Sequence, residues 1–273
     1  MPIAFSTLGV PGLPLAEAAG LAAEHGWDGL ELRCAAGESV HPEMTAGERR
    51  AAARTLRAHG LTPLALASYI GVAAPGPDAP VTDALRSHLH LAADLGAAAV
   101  RVFPRGGDGP RAEADARAAR RLAEVVEDAR RLGVRVLVET HDSHRSGRAV
   151  AALLERVAHP AVGALWDLMH THLAGETPAE SHAALGPHLG HVQVKDIAGP
   201  QDLTPLPLGA GVLPIADCLG LLPRAAWVCW EYEAPWHPAA APLPPLLGAG
   251  AAFLAAAGRG LPGGGLPGGG PGA

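Results

Sequence analysis

Short apolar runs and longer stretches of helical spacing alternate along the whole chain. Pro2–Ser6, Asp28–Arg33, Thr62–Ser68, Ala98–Phe103, Arg135–Glu139, Val162–Asp167, Leu189–Lys195 and Ala226–Glu231 are compact runs bounded by turns, which predicts buried strands. Between and after them, Leu15–His25, Thr45–His59, Val81–Leu95, Arg111–Leu132, Gly147–Val157, Pro178–Leu185, Pro214–Leu222 and Leu243–Ala257 read as helices. Local signals mark several ends. Thr45 with Glu48 three residues on has capping-box spacing, and Gly60 and Gly96 stand where helices stop. Pro178 suits a first helical turn, where its missing N–H costs nothing.

Strict strand–helix alternation argues a parallel sheet. Eight such units in about 250 residues are the size of a closed (β/α)8 TIM barrel, a single domain over residues 1–257. An open doubly wound sheet is the other architecture with this alternation. It would carry a glycine-rich phosphate turn after the first strand, and Leu8-Gly9-Val10-Pro11-Gly12 does not match that pattern. Residues 258–273, almost all Gly, Pro and Leu, read as a disordered, linker-like tail.

Composition narrows the function classes. A net charge of −6 gives no electrostatic footprint for nucleic acid or an anionic membrane. The apolar stretch Leu243–Ala257 is too short, and too broken by Pro244 and Pro245, to span a bilayer. No basic segment precedes an apolar one at the start of the chain, and the odd number of cysteines (Cys34, Cys218, Cys229) does not form a disulfide framework. These features predict a cytoplasmic chain with reduced thiols. Of 21 basic side chains, Lys195 is the only lysine.

The chemistry gathers at four consecutive strand ends. Side chains two apart on a strand share a face. Leu137, Glu139 and His141 therefore point one way; so do Leu165 and Asp167, then His191, Gln193 and Lys195, then Cys229, Glu231 and Glu233. If those faces look into a barrel, its mouth receives Glu139, Asp167, Gln193 and Glu231. Three carboxylates this close cannot all stay ionised without a cation between them. Oxygen donors favour Mg²⁺ or Mn²⁺, and nearby histidines widen the choice to Co²⁺ or Zn²⁺. Any one carboxylate alone is as readily a solvated loop residue or a helix cap. Taken alone, His170, His172, His182 and His188 read as surface histidines. Trp166 and Trp230 have the opposite parity and read as core beneath the helices.

The segments Glu139-Thr-His141-Asp142, Trp166-Asp167-Leu-Met-His170, His191-Val-Gln193-Val-Lys195-Asp196, Gly209-Ala-Gly211 and Trp230-Glu231-Tyr-Glu233 occur in this order. With Trp236-His237-Pro238 they resemble the sugar phosphate isomerase/epimerase group of the xylose isomerase-like TIM barrels, from Ile3 to about Ala257. The resemblance implies metal ligands at Glu139, Asp167, position 193 and Glu231, and a substrate contact at His170. Ketose 3-epimerases of this group place His at position 193; this chain has Gln, as hydroxypyruvate isomerase-like members do. His191, one pleat down, is the alternative ligand. The epimerases' arginine shortly after that position is absent, and Lys195 stands in as a holder of substrate oxygen, with His191 and His141 as further substrate contacts.

The implied reaction is proton transfer at the carbon beside a carbonyl, through an enediolate, with Glu139 and Glu231 as the catalytic acid–base pair. Arg33, Arg101, Arg105 and Arg145 are candidates for an anionic substrate group. The expected partner is a small carbohydrate-like molecule, and Trp236 reads equally as part of a homo-oligomer surface or as a loop residue lining the pocket. Four rival readings stand beside this one. They are a metal-dependent dehydratase resembling inosose or dehydroshikimate dehydratases, a Schiff-base aldolase working through Lys195, an endonuclease IV-like nuclease disfavoured by the net charge, and a non-catalytic metal or sugar binder.

Overall fold

The computed structural model describes residues 1–258. Eight parallel strands close into a barrel: β1 (Ile3–Ser6), β2 (Gly29–Arg33), β3 (Thr62–Gly71), β4 (Ala99–Phe103), β5 (Arg135–Glu139), β6 (Val162–Asp167), β7 (Leu189–Val194) and β10 (Val228–Trp230). Each pairs with its neighbour in chain order, and β1 closes the ring against β10, with Ile3 opposite Val228 and Phe5 opposite Trp230. Helices α1 (Leu15–Glu24), α2 (Ala46–Ala58), α3 (Ala79–Leu95), α4 (Arg111–Leu132) and α5 (Gly147–Val157) come after the first five strands. α6 (Leu168–Leu173) and α7 (Pro178–Leu185) come after β6, α8 (Ile215–Leu221) precedes β10, and α9 (Leu247–Ala257) ends the described chain. The tail expected over 258–273 lies, from residue 259 on, outside the described residues.

Two apolar clusters show which way the strands face. The larger one fills the layer between strands and helices and contains Trp166 and Trp230, both fully buried. The smaller one, Ala4, Leu64, Ala65, Ala99, Leu137, Leu165 and Cys229, fills the barrel interior. Leu137, Leu165 and Cys229 stand two residues before Glu139, Asp167 and Glu231, so those carboxylates form the next layer up, at the C-terminal mouth. Small residues on β1, β3 and β4 and larger ones on β5 and β6 let one floor fill without a pore.

The capping box at Thr45 forms: Thr45 Oγ1 accepts from the Glu48 backbone and the Glu48 carboxylate accepts from the Thr45 N–H. Thr177 and Glu180 form a second one at α7. Gly96 and Gly133 end α3 and α4 at φ 81° and 67°, the left-handed region where a Cβ is strained.

Three differences from the sequence reading are local. α6 is a six-residue helix directly after β6, too short for a readable period and started by Asp167, whose Oδ1 accepts from His170 N at 3.1 Å. The last helix begins at Leu247 because Pro244–Leu246 form a 3-10 turn. Between β7 and α8, where the sequence marks no element, stands a two-stranded antiparallel ribbon, β8 (Asp196–Gly199) and β9 (Asp202–Leu206). Pro205 inside β9 hides it from the sequence, since proline is tolerated in strands only where a ladder bond is dispensable. Asp196 anchors the turn that leads from the ribbon to α8: its carboxylate accepts from Ile197 N, Gly209 N, Gly211 N and Leu213 N. Gly211 packs so close to that carboxylate that a side chain there has no room, which accounts for the Gly209-Ala-Gly211 motif.

Candidate active site

Glu139 and Asp167 are the last residues of β5 and β6, Gln193 lies on β7 beside Asp167, and Glu231 comes directly after β10. All four are buried, and carboxylate oxygens of Glu139, Asp167 and Glu231 lie within 4.8 Å of one another. Parity thus brings the four strand ends to one place. A second group, Glu139, His141 and His170, sits at the same spacing on the solvent side. The His141 ring packs at 4.3 Å from that of His170 and 4.4 Å from Phe103, so the three rings line one wall of the mouth.

Two cations share the buried cluster. Lys195, 2% exposed, places Nζ 2.8 Å from Asp167 Oδ2, 2.5 Å from Glu231 Oε2 and 2.6 Å from Glu233 Oε1. The ammonium, expected to hold a substrate oxygen, is surrounded here by three carboxylates. Burial alone pulls an ammonium pKa down, but Asp167, Glu231 and Glu233 outweigh it and hold Lys195 well above its ordinary value. A Schiff-base lysine must lose its proton to attack a carbonyl, so this environment opposes the aldolase reading.

The other cation, Arg101 on β4, reaches across the barrel. Its Nε lies 3.2 Å from Glu139 Oε2 and its Nη2 3.9 Å from Glu231 Oε1. Its guanidinium stacks over Phe103, 4.1 Å from the ring centroid. Arg33, by contrast, pairs with Glu38 at 2.6 Å and donates to Tyr69 Oη. Arg105 and Arg145 stand at the rim around Asp142, lining a cavity of about 570 Å³ with His141. A larger groove of about 870 Å³ between α7, α8 and α9 has Asp217 as its only ionisable group and offers no comparable chemistry.

The two glutamates occupy opposite electrostatic states. Burial, reinforced by the charges of Glu231 and Asp167, raises the Glu139 pKa well above the carboxylate range against the pull of Arg101. Burial acts on Glu231 in the same sense, but Lys195 and Arg101 overcome it and bring that group down to about 2. His170 is lowered to about 3 by burial, then by Lys195 and His141, so its imidazole is neutral at physiological pH.

The family model described as xylose isomerase-like TIM barrel matches residues 19–257. The chain belongs to that family. No curated protein sequence matches it. Among solved structures, D-psicose 3-epimerase in the presence of D-fructose superposes with a TM-score of 0.80 at 15% identity, covering 95% of this chain and 100% of the other. The probable 3-DHS dehydratase AsbF of Bacillus anthracis gives 0.77 at 17%, over 93% and 99%. The IOLI protein with a binding zinc atom gives 0.76 at 16%, over 93% and 97%. At these identities the likeness establishes the barrel, which serves epimerases and dehydratases alike.

The donor set of this family member fits a divalent cation. Four buried carboxylates (Glu31, Glu139, Asp167, Glu231) and the partly exposed Glu233 face two cations, Lys195 and Arg101, an excess of three negative charges if all are ionised. Gln193 Oε1 is buried without a hydrogen-bond partner, and Glu139 Oε2 and Asp167 Oδ2 meet only the ion-pair contacts of Arg101 and Lys195. His170 Nε2 is likewise unpartnered. His191, expected as a substrate contact, is not among these groups: it is buried one pleat below Gln193 with Nε2 3.1 Å from Glu31 Oε2. Glu31 is a site residue that sequence reasoning misses. It lies in Gly29-Leu-Glu-Leu-Arg33, where Glu31 and Arg33 share one face of the strand and a carboxylate set between two leucines is the available signal. No described helix is long and apolar enough to cross a membrane, and Cys34, Cys218 and Cys229 are free and buried.

Proposed function

We propose that this chain is a divalent-metal-dependent isomerase or epimerase of a carbohydrate-like hydroxy-carbonyl compound. The observation that carries the reading is the convergence of the Glu139, Asp167 and Glu231 carboxylates on one buried point at the barrel mouth, with Gln193, whose Oε1 has no hydrogen-bond partner, opposite Asp167 on the next strand. These four residues would hold the metal, with Mn²⁺ or Mg²⁺ favoured by an all-oxygen set. A cation bound there supplies Lewis-acid polarisation of a substrate carbonyl.

The chain's own residues supply the proton chemistry. Glu139 and Glu231, which meet different cations (Arg101 for Glu139, Lys195 and Arg101 for Glu231), are the pair that would remove and return a carbon-bound proton. Two carboxylates whose environments push their pKa values apart can take opposite roles in one turnover. Neutral His170, with a free Nε2, offers a hydrogen-bond partner for a substrate hydroxyl. The rings of Phe103 and His141 give the apolar wall against which a sugar face can lie.

The test is proton exchange. Protein in D₂O with Mn²⁺ or with chelator is given a panel of ketoses, sugar phosphates and hydroxypyruvate, and deuterium is located by mass and NMR. Metal-dependent deuterium beside the carbonyl, with substrate mass otherwise unchanged, is the expected result. Loss of water instead assigns the dehydratase reaction on the same site, and no exchange across the panel overturns the isomerase reading.

A further inference from the structure

Gln193 differs from an ordinary amide ligand in how it is held. Its Nε2 donates to Glu31 Oε1 at 2.8 Å and to Glu231 Oε1 at 3.2 Å, while its Oε1 is buried and without a partner. A carboxylate accepts hydrogen bonds and does not donate them, so the amide nitrogen must face the two glutamates. The rotated amide would set its oxygen against two carboxylate oxygens. Glu31 is the shorter of the two contacts, and it is the one that belongs to no candidate ligand. It is fixed in turn by His191, whose Nε2 lies 3.1 Å from Glu31 Oε2. The result is a buried file, His191 to Glu31 to Gln193, whose last member lies opposite Asp167 on the neighbouring strand and carries an amide oxygen without a partner.

We propose that Glu31 is a positioning residue for the metal site: it fixes the Gln193 amide so that the oxygen, not the nitrogen, faces the cation. The proposal rests on the reading of the four strand ends as a metal site. Its chemistry is general, since a partner that orients a ligand and polarises it strengthens the ligand's bond to a cation. It also gives a reason for glutamine at this position. Amide nitrogen toward Glu31 and amide oxygen toward the cation reproduce, with an oxygen donor, what an imidazole does with its two nitrogens. The oxygen then makes the ligand set uniformly hard.

A thermodynamic cycle on Mn²⁺ affinity tests it. Free Mn²⁺ is followed by electron paramagnetic resonance for wild type, Glu31→Gln, Gln193→Ala and the double variant, with fold checked by circular dichroism. A glutamine at 31 can face the Gln193 amide with either end, so it no longer fixes its direction. Glu31→Gln is expected to weaken Mn²⁺ binding by about 10- to 100-fold. In the Gln193→Ala background the same change is expected to cost little more, because the group through which Glu31 acts is gone. An equal loss in both backgrounds means that Glu31 acts through its charge or through the fold, and overturns the proposal; so does undiminished binding in Glu31→Gln. Wild type that binds no Mn²⁺ overturns the metal reading itself, and the proposal with it. If Glu31→Gln does not fold, Glu31→Asp serves in the same cycle, since it keeps the carboxylate but draws it back from the 2.8 Å contact.

Discussion

Strands β5, β6, β7 and β10 bring Glu139, Asp167, Gln193 and Glu231 to the barrel mouth, while β2 and β4 bring Glu31 and Arg101 against them. The first group of strands contributes every candidate metal donor. The second contributes none; its residues touch the donors, Glu31 through the Gln193 amide and Arg101 through Glu139 and Glu231. A cluster of carboxylates is not yet a binding site. It needs its charge partly offset and its lone pairs aimed, and here those tasks fall to strands on the opposite side of the ring. The division also explains why Glu139 and Glu231, equally buried, differ in protonation. Glu231 lies against both Lys195 and Arg101, whereas Glu139 has Arg101 alone at close range.

The largest effect should come from the donor half. Glu231→Gln and Glu139→Gln each keep shape and hydrogen-bonding capacity but remove the proton-transfer group, so metal-dependent exchange in D₂O should fall by about 10²- to 10⁴-fold with circular dichroism unchanged. Near-normal exchange in both would show that these two residues are ligands only, or that the reaction lies elsewhere.

The halves are also unequally legible in the sequence. In the donor half each functional residue ends an apolar run, so parity and strand order alone place Glu139, Asp167 and Glu231 together. In the other half the signal is diluted. Glu31 sits between two leucines, and Arg101 is one arginine among twenty in a chain that uses almost no lysine. Nothing local distinguishes Arg101, buried over Phe103, from Arg120, which pairs with Asp78 at the surface. Lys195 is visible as the lone lysine, but its role is not, because three carboxylates from β6 and the segment after β10 meet its ammonium only in the closed barrel. The architecture as a whole is readable because it is written in local repeats: eight runs, eight helices, and caps such as Thr45 and Gly96. The β8–β9 ribbon is not, since its strands are short, one holds a proline, and its order depends on Asp196 gathering four backbone N–H groups from farther along the chain.

The next effect belongs to the opposite half and reads out in stability. Arg101→Met keeps much of the side-chain volume against Phe103 but takes the cation from between Glu139 and Glu231. Breaking a buried ion pair by removing one partner leaves an uncompensated charge and typically costs about 3–5 kcal/mol. Urea unfolding without metal should show a loss toward the lower end of that range, since a protonated Glu139 carries no charge to strand and Glu231 keeps Lys195. Saturating Mn²⁺ should restore part of the loss, because a cation held by the same carboxylates replaces the missing charge. A loss below about 1 kcal/mol, the level of an exposed pair, would mean that Arg101 does not balance the cluster and that the two halves are less coupled than their geometry implies.

The smallest effect is the control on the comparison. Each half carries one capping box on an outer helix, Thr45 with Glu48 at α2 and Thr177 with Glu180 at α7, and both have the same reciprocal hydrogen bonds. Both caps are exposed, away from the buried carboxylates. Thr45→Ala and Thr177→Ala each remove the hydroxyl that accepts the backbone N–H three residues on, at a cost of about 1 kcal/mol. If the halves differ only in what they bring to the mouth, the two variants should lower the unfolding midpoint by similar amounts and leave both Mn²⁺ affinity and exchange rate at wild-type values. α7 packs on α8, whose strand successor β10 leads directly to Glu231, so an effect of Thr177→Ala on Mn²⁺ affinity that Thr45→Ala lacks would show the donor half to be set by its outer helices as well as by the strands that face it.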